Sequence, residues 1–102
     1  MKINEKEYTL RMSGKTLVIY KEEFKKDMLL ETNRFVSKGL EDMTLLMELA
    51  YALIKTTSDD IGTYMEFVDE INPSEFFSVE NVQEIVLTIR RDREPTNQLK
   101  KK

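Results

Sequence analysis

Apolar residues cover almost the whole circumference of the segment 40–55, LEDMTLLMELAYALIK, if it is drawn as a helix. With about 100° between residues, nearly all of its polar side chains gather in one narrow stripe, formed by Glu41, Thr44, Glu48 and Lys55. A helix on the surface of a globular protein normally has an apolar arc of little more than about 100°. The pattern therefore predicts a central helix over 40–55 that other elements cover on most sides.

The pattern before this segment changes from alternation to a helical period. Residues 1–12 alternate apolar and polar side chains around a polar turn, which predicts a short β-hairpin. Ser13 is a suitable N-cap for a helix whose apolar residues recur at helical spacing, at Leu17, Tyr20, Phe24 and Met28. The segment 16–20 is rich in β-branched residues and could also form a strand, but the period that continues through Phe24 favours a helix.

A second short helix is predicted from residue 28 to about residue 36. Asp27 is expected to cap its start, and Leu29, Leu30, Phe35 and Val36 supply its apolar contacts. The sequence SKG at 37–39 ends it.

Two more helices are predicted after the central one. Thr57 or Ser58 is expected to cap the first, which Asn72 and Pro73 end. Gly62 should cost this helix about 1 kcal/mol relative to alanine. Its apolar face is formed by Ile61, Tyr64, Val68 and Ile71, with Met65 and Phe67 widening it. Ser74 or Ser78 is expected to cap the last helix, whose apolar face is formed by Val79, Val82, Val86 and Ile89, with Ile85 beside them.

These elements predict a predominantly helical α+β fold. A short N-terminal β-hairpin would be followed by about four to five helices packed around the central apolar helix, 40–55. A chain of 102 residues is long enough for one domain with its own core. We expect a single domain over residues 1–92 and a disordered C-terminal tail over 93–102, where apolar residues are almost absent.

Composition narrows the classes of function. The chain has no Cys and no His, which removes disulfides, thiolate or imidazole zinc ligands and histidine acid–base chemistry. Its net charge of −3 disfavours nucleic-acid binding. The basic sequences RRDR at 90–93 and KKK at 100–102 fit a solvated helix end and tail, or a contact with an acidic partner. Asp59 and Asp60 fit the start of a helix, so no catalytic, cofactor-binding or metal-ligating residues are predicted.

The beginning of the chain has no apolar signal sequence, and no segment is long and apolar enough to cross a membrane. A cytosolic protein without nucleic-acid or membrane partners is therefore expected.

The order of these parts resembles the small tail assembly chaperones of long-tailed phages and prophages of Gram-positive bacteria. The resemblance covers residues 1–92, through the segments MKIN…EYTLRM, YKEEFKKDMLL, LLMELAYALIK and IGTYMEFVDEIN. It implies a non-enzymatic protein that binds the long, helical tape measure protein in the infected cell. Such a chaperone keeps the tape measure protein soluble in the host cytoplasm until tail tube subunits polymerise around it, and it is absent from the finished virion. The family often makes a longer product by ribosomal slippage, for which the lysines at 100–102 are a candidate site.

Met and aromatic side chains are the candidate contacts with a helical client, because flexible or flat apolar groups adapt to varied surfaces. The candidates are Met43, Met47, Tyr51, Met65 and Phe77. Phe76 and Phe77 are adjacent, so one is expected to turn inward while the other packs under the link or contacts a partner. The tail tube subunit and a second copy of the chain are further candidate partners. The alternative function is a small cytosolic adaptor or regulatory protein-binding domain of a bacterial host.

Overall fold

The computed structural model describes residues 1–39 and 41–93, with side chains described as far as residue 90. This part of the chain contains a two-stranded antiparallel hairpin followed by six helices, so the predicted helical α+β fold is confirmed. The elements are β1 (Lys2–Ile3), β2 (Lys6–Glu7), α1 (Gly14–Phe24), α2 (Met28–Ser37), α3 (Met43–Lys55), a 3₁₀ turn (Asp59–Ile61), α4 (Tyr64–Asp69), α5 (Pro73–Phe76) and α6 (Val79–Arg93).

The hairpin is much shorter than the predicted segment 1–12. Its strands pair Lys2 with Glu7 and Ile3 with Lys6. Asn4 and Glu5 both have positive φ angles, 54° and 66°, as a tight two-residue hairpin turn requires. Beyond Glu7, the alternating residues pack on the helices as an irregular segment instead of continuing the strand.

Helices α1 and α2 confirm the helical interpretation of the segments before the central helix. The strand alternative over 16–20 is wrong, because α1 includes all of these residues. Helix α1 ends where Lys25 takes a left-handed conformation, with φ of 59°. The Asp27 carboxylate then accepts hydrogen bonds from the backbone N–H groups of Leu29 and Leu30, at 2.9 and 3.2 Å, and caps α2 as predicted.

Helix α3 is the centre of the core, although it begins later than predicted. The predicted first residue, Leu40, lies outside the described residues, and Glu41 and Asp42 precede the helix. Asp42 is the N-cap, because its carboxylate accepts a hydrogen bond from the backbone N–H of Leu45 at 3.0 Å. The buried residues of α3 are Leu45, Leu46, Leu49, Ala50, Tyr51, Ala52, Leu53 and Ile54.

The single helix predicted after α3 is wrong. The structure has a 3₁₀ turn, then Gly62 with φ of 81°, then α4, and the chain leaves α4 after Asp69. A Cβ on Gly62 would collide with the carboxylate of Glu66. That carboxylate accepts a hydrogen bond from the backbone N–H of Thr63 at 2.8 Å in a capping box. Gly62 therefore ends one element and makes room for the cap of the next.

Helix α6 begins directly after Ser78, one of the two residues that were candidates for its N-cap. The Ser78 hydroxyl accepts a hydrogen bond from the backbone N–H of Asn81 at 3.2 Å, while Ser74 lies within α5, which Asn72 caps. Helix α6 continues to Arg93. Arg93, predicted as the first residue of the tail, therefore belongs to this helix. The remainder of that tail, 94–102, lies outside the described residues.

The buried amide of Asn81 joins α6 to the hairpin and to α5. It donates to the backbone carbonyls of Lys2 at 3.1 Å and of Glu75 at 2.8 Å.

We expect Asn81→Ala to lower the free energy of unfolding by about 1–3 kcal/mol, because two carbonyls lose their donor. Urea unfolding measures this. The matched control is Gln83→Ala on the exposed side of α6, expected to stay within about 0.5 kcal/mol of wild type. Equal losses for both variants would contradict this role.

Candidate partner-binding surface

The predicted contact residues lie on different elements and differ in exposure. Met65 on α4 is 70% exposed, and Met43 in the first turn of α3 is 38% exposed. Met47 and Phe77 are half-buried and pack against the core. Met43 and Met65 can therefore contact a partner with most of their side chain, whereas Met47 and Phe77 can offer only part of theirs.

Tyr51 is buried, with no exposed surface, and it is therefore not a surface contact in this fold. Its hydroxyl donates to the carbonyl of Gly62 at 2.6 Å and accepts from the ammonium of Lys55 at 3.0 Å. Sequence periodicity could not separate a buried from an exposed Tyr51, because α3 is apolar on nearly every side. The hydroxyl of Tyr51 has its partner in the carbonyl of Gly62, in the segment after α3, and the period of α3 contains no information about that segment.

An aromatic cluster surrounds Tyr51 and fixes α1 and α4 against α3. Its ring centroid lies 6.1 Å from Phe24, 5.5 Å from Tyr64 and 5.5 Å from Phe67. The rings of Phe24 and Tyr64 are also in edge contact, at 4.8 Å. Such pairs contribute about 0.5–1.5 kcal/mol each beyond the area that they bury. The candidate Tyr51 therefore belongs to the packing of the fold.

Glu48 is the acidic residue in the middle of the apolar helix, and its partners explain its presence there. Its carboxylate accepts from the hydroxyl of Tyr20 at 2.9 Å and from the ammonium of Lys26 at 3.1 Å. Burial, and then Glu48, raises the pKa of Tyr20, and the same two causes raise the pKa of Tyr64 to about 12. Tyr20 therefore stays protonated at neutral pH and donates to Glu48, which is a structural role.

Helix α2 carries an exposed apolar surface, none of whose residues are among the contact residues predicted from the sequence. Its inner side buries Met28 and Phe35, seven residues apart. Leu29 and Val36 have the same spacing one position further along, so they share a second side of the helix. Leu29 is 36% exposed, Leu30 63% and Val36 56%. We call Leu29, Leu30 and Val36 the α2 surface.

The signal for the α2 surface is present in the sequence. Two pairs of large apolar residues, each seven apart and offset by one position, give a helix two apolar sides about 100° from each other. One helix in a small domain turns only one such side towards the core. Of the four residues predicted to supply the apolar contacts of α2, only Phe35 is buried, while Leu29, Leu30 and Val36 are exposed.

The charges beside the α2 surface are already paired. The Glu31 carboxylate accepts two hydrogen bonds from one guanidinium nitrogen of Arg34, both at 3.1 Å, and lies 3.9 Å from the ammonium of Lys26. Arg34 is four residues after Leu30, on the same side of the helix, so a partner that covers Leu30 meets an ion pair that is already neutralised. This arrangement suits the apolar side of an amphipathic helix.

A cleft of about 770 Å³ lies between the hairpin and α4. Among its lining residues, Glu66 caps α4 and Glu7 binds the amino group of Met1, at 3.1 Å. Across the described residues there is no group of three or more acidic, His or Cys side chains placed to hold a metal ion. No helix in the described ranges is long and apolar enough to cross a membrane.

Comparisons with known proteins find no matching family model, no matching curated protein and no matching solved structure.

Proposed function

We propose that this protein is a phage tail assembly chaperone that binds the tape measure protein and keeps it soluble while the tail is built. The proposal combines the resemblance in the order of parts over residues 1–92 with the surface of the folded domain. It places the protein in the host cytoplasm and outside the mature virion. It requires no catalytic group, cofactor or metal.

The observation that carries the proposal is the α2 surface. Helix α3 already has its covering from α1, α2 and α4, so Leu29, Leu30 and Val36 remain exposed although the core is complete. Covering each of these side chains would contribute on the order of 1 kcal/mol. A long amphipathic helix is an appropriate client, because its apolar residues recur at the spacing that two turns of α2 present.

The exposed methionines extend the choice of contacts. Met43 is at the start of the helix that follows α2, and its thioether can adapt to clients of different shape. Met65 lies on α4 and would contact a client only if that client extended beyond α2. We therefore assign the main contact with the client to the α2 surface and Met43, and an additional contact to Met65.

Co-expression with the tape measure protein of the same phage or prophage genome tests the function. We expect the tape measure protein to move from the pellet to the soluble fraction, and to co-elute with this chain on gel filtration. Equal solubility with and without the chain, together with no complex, would reject the chaperone function. Binding to an unrelated host protein instead would favour the adaptor alternative.

The double variant Leu30→Asp with Val36→Lys tests the α2 surface. It removes two exposed apolar side chains, while an acidic residue in the first turn and a basic one in the last turn suit the helix dipole. We expect at least tenfold weaker binding of the tape measure protein, corresponding to about 1.4 kcal/mol, measured by titration calorimetry with unchanged circular dichroism.

The matched control is Val18→Lys on α1. Val18 and Val36 are both valines and both 56% exposed, but Val18 lies outside the α2 surface. The control should bind like wild type. Equal weakening by Val18→Lys and by the double variant would show that the α2 surface is not the binding site.

A further inference from the structure

The acidic residues of this chain are unevenly distributed. Residues 56–89 contain no Lys or Arg, although they include eight of the 19 acidic residues. The 3₁₀ turn and α4 belong to this range, and together with the hairpin they line the cleft of about 770 Å³. One side of the cleft is therefore formed by a stretch of chain whose only charged side chains are negative.

Acidic side chains outnumber basic ones around this cleft. Among the described residues, its lining includes Glu7, Asp60, Glu66 and Glu70, with Lys6 as the one basic residue. Glu7 and Glu66 already accept hydrogen bonds within the domain. Asp60 and Glu70 are exposed, and neither has an ion pair with another described residue. These two carboxylates are therefore available to a cation.

Apolar side chains line the same cleft beside the carboxylates. Ile61 and Ile71 are half-buried there, and Phe67 is buried. A ligand that matches both kinds of lining carries positive charge next to an apolar group. The sequence LKKK at 99–102 has this composition, since Leu99 directly precedes three lysines.

The lysines at 100–102 are close enough along the chain to reach the cleft. Tyr8 lines both the cleft and a groove beside α6 whose lining includes Thr88. Helix α6 ends at Arg93, which is five residues and about 7.5 Å beyond Thr88. Residues 94–99 can span up to about 20 Å when extended. The distance from the end of α6 to the cleft is therefore within the length of the intervening chain.

We propose that the sequence 99–102 is an intramolecular ligand of the cleft, with lysine ammonium groups on Asp60 and Glu70 and Leu99 against the apolar lining. Exposed ion pairs are individually weak and are screened by salt. Attachment to the same chain compensates for this, because a short tether gives an effective concentration in the millimolar range. None of the lining residues belongs to α2, so this contact leaves the α2 surface free and does not depend on the proposed client.

A nitroxide spin label near the lysines tests the proposal in the full chain. Because the chain has no Cys, Gln98→Cys gives a single labelling position. We expect the label to broaden the backbone amide NMR signals of Gly62 and Ile71 at low salt. In the double variant Asp60→Asn with Glu70→Gln, this broadening should fall about threefold to tenfold, as expected for the loss of two exposed ion pairs.

The matched control is Asp69→Asn, which neutralises an exposed acidic residue of α4 that does not line the cleft. The control should keep the broadening of the labelled chain. Replacement of all three lysines at 100–102 by glutamate should remove the broadening, whereas their replacement by arginine should retain it. Equal broadening in the labelled chain and in the Asp60→Asn, Glu70→Gln variant would overturn the proposal, and so would an equal loss in Asp69→Asn.

A mixed sample separates docking within one chain from docking between copies. It combines a spin-labelled chain without ¹⁵N and a ¹⁵N-labelled chain without the spin label. We expect no broadening of Gly62 and Ile71 in this mixture. Broadening as strong as that within the labelled chain would show that the lysines occupy the cleft of a second copy, and would overturn the intramolecular contact.

Discussion

Replacing Tyr51 with alanine is expected to lower the free energy of unfolding by about 3–5 kcal/mol, as large aromatic-to-alanine changes in a core do. The ring contacts Phe24, Tyr64 and Phe67 from two other helices, and the hydroxyl satisfies the carbonyl of Gly62. A domain of this size has a total stability of about 5–15 kcal/mol. The variant should therefore be marginally stable, with its urea transition moved to much lower concentrations.

Two further variants separate the contributions at this position. Tyr51→Phe keeps the ring and removes the hydrogen bond, so we expect a smaller loss of about 1 kcal/mol. Met65→Ala, at an exposed position, should change stability by less than about 0.5 kcal/mol. If Tyr51→Ala unfolded like wild type and lost only client binding, the aromatic cluster would not be the centre of the core.

Phe76→Ala is expected to cost a similar amount, about 3–5 kcal/mol. Phe76 has no exposed surface, and α5 holds it against the hairpin strand β1. Its ring meets the neighbouring Phe77 edge-on, with the centroids 4.9 Å apart. Removing Phe76 therefore leaves a cavity where the hairpin, α5 and α6 meet, and urea unfolding monitored by circular dichroism measures the loss.

Phe77→Ala is the matched control for Phe76→Ala, because the two residues are identical and adjacent but differ in burial. Phe77 is half-buried, so its removal should cost clearly less than the removal of Phe76. An equal cost for both residues would contradict the inward orientation of Phe76 alone. If Phe77→Ala also weakened client binding without unfolding the domain, Phe77 would join the contact surface.

The apolar pattern predicts α1, α2, α3 and α6, fails between α3 and α6, and is least reliable at the ends of helices. A helix with apolar residues around almost all of its circumference has to be buried on most sides, and α3, over residues 43–55, is buried in this way. The start of α3 depends on Asp42, whose capping bond is a local detail that periodicity does not contain. The same limit explains why the hairpin was predicted too long, since alternation of side chains does not specify strand pairing.

Gly62 shows why the segment after α3 was predicted wrongly. Its average cost in a helix is small enough to be tolerated, so the sequence argument kept one continuous helix. In the fold, Gly62 has a positive φ and leaves space for the Glu66 carboxylate that caps α4. That function depends on a side chain four residues away, and a count of helix propensities cannot detect it.

The candidate site was harder to predict than the core, because exposure depends on which side of a helix the rest of the domain covers. Tyr51 and Met43 have similar apolar character in the sequence, yet one is buried and the other is exposed. Leu29 and Val36 are predicted only to supply apolar contacts, because the sequence does not show which side of α2 the domain covers. Pairing of the apolar positions at seven-residue spacing would have identified the second side of α2.

Hydrogen exchange of the complex with the tape measure protein tests the central claim most directly. The exchange rates of backbone amides are compared between the free chain and the chain in excess of its client. We predict slower exchange over α2 and the first turn of α3, with α1 around Val18 unchanged, because a client on the α2 surface suppresses local opening there. Unchanged exchange throughout, or protection that omits α2, would contradict the account.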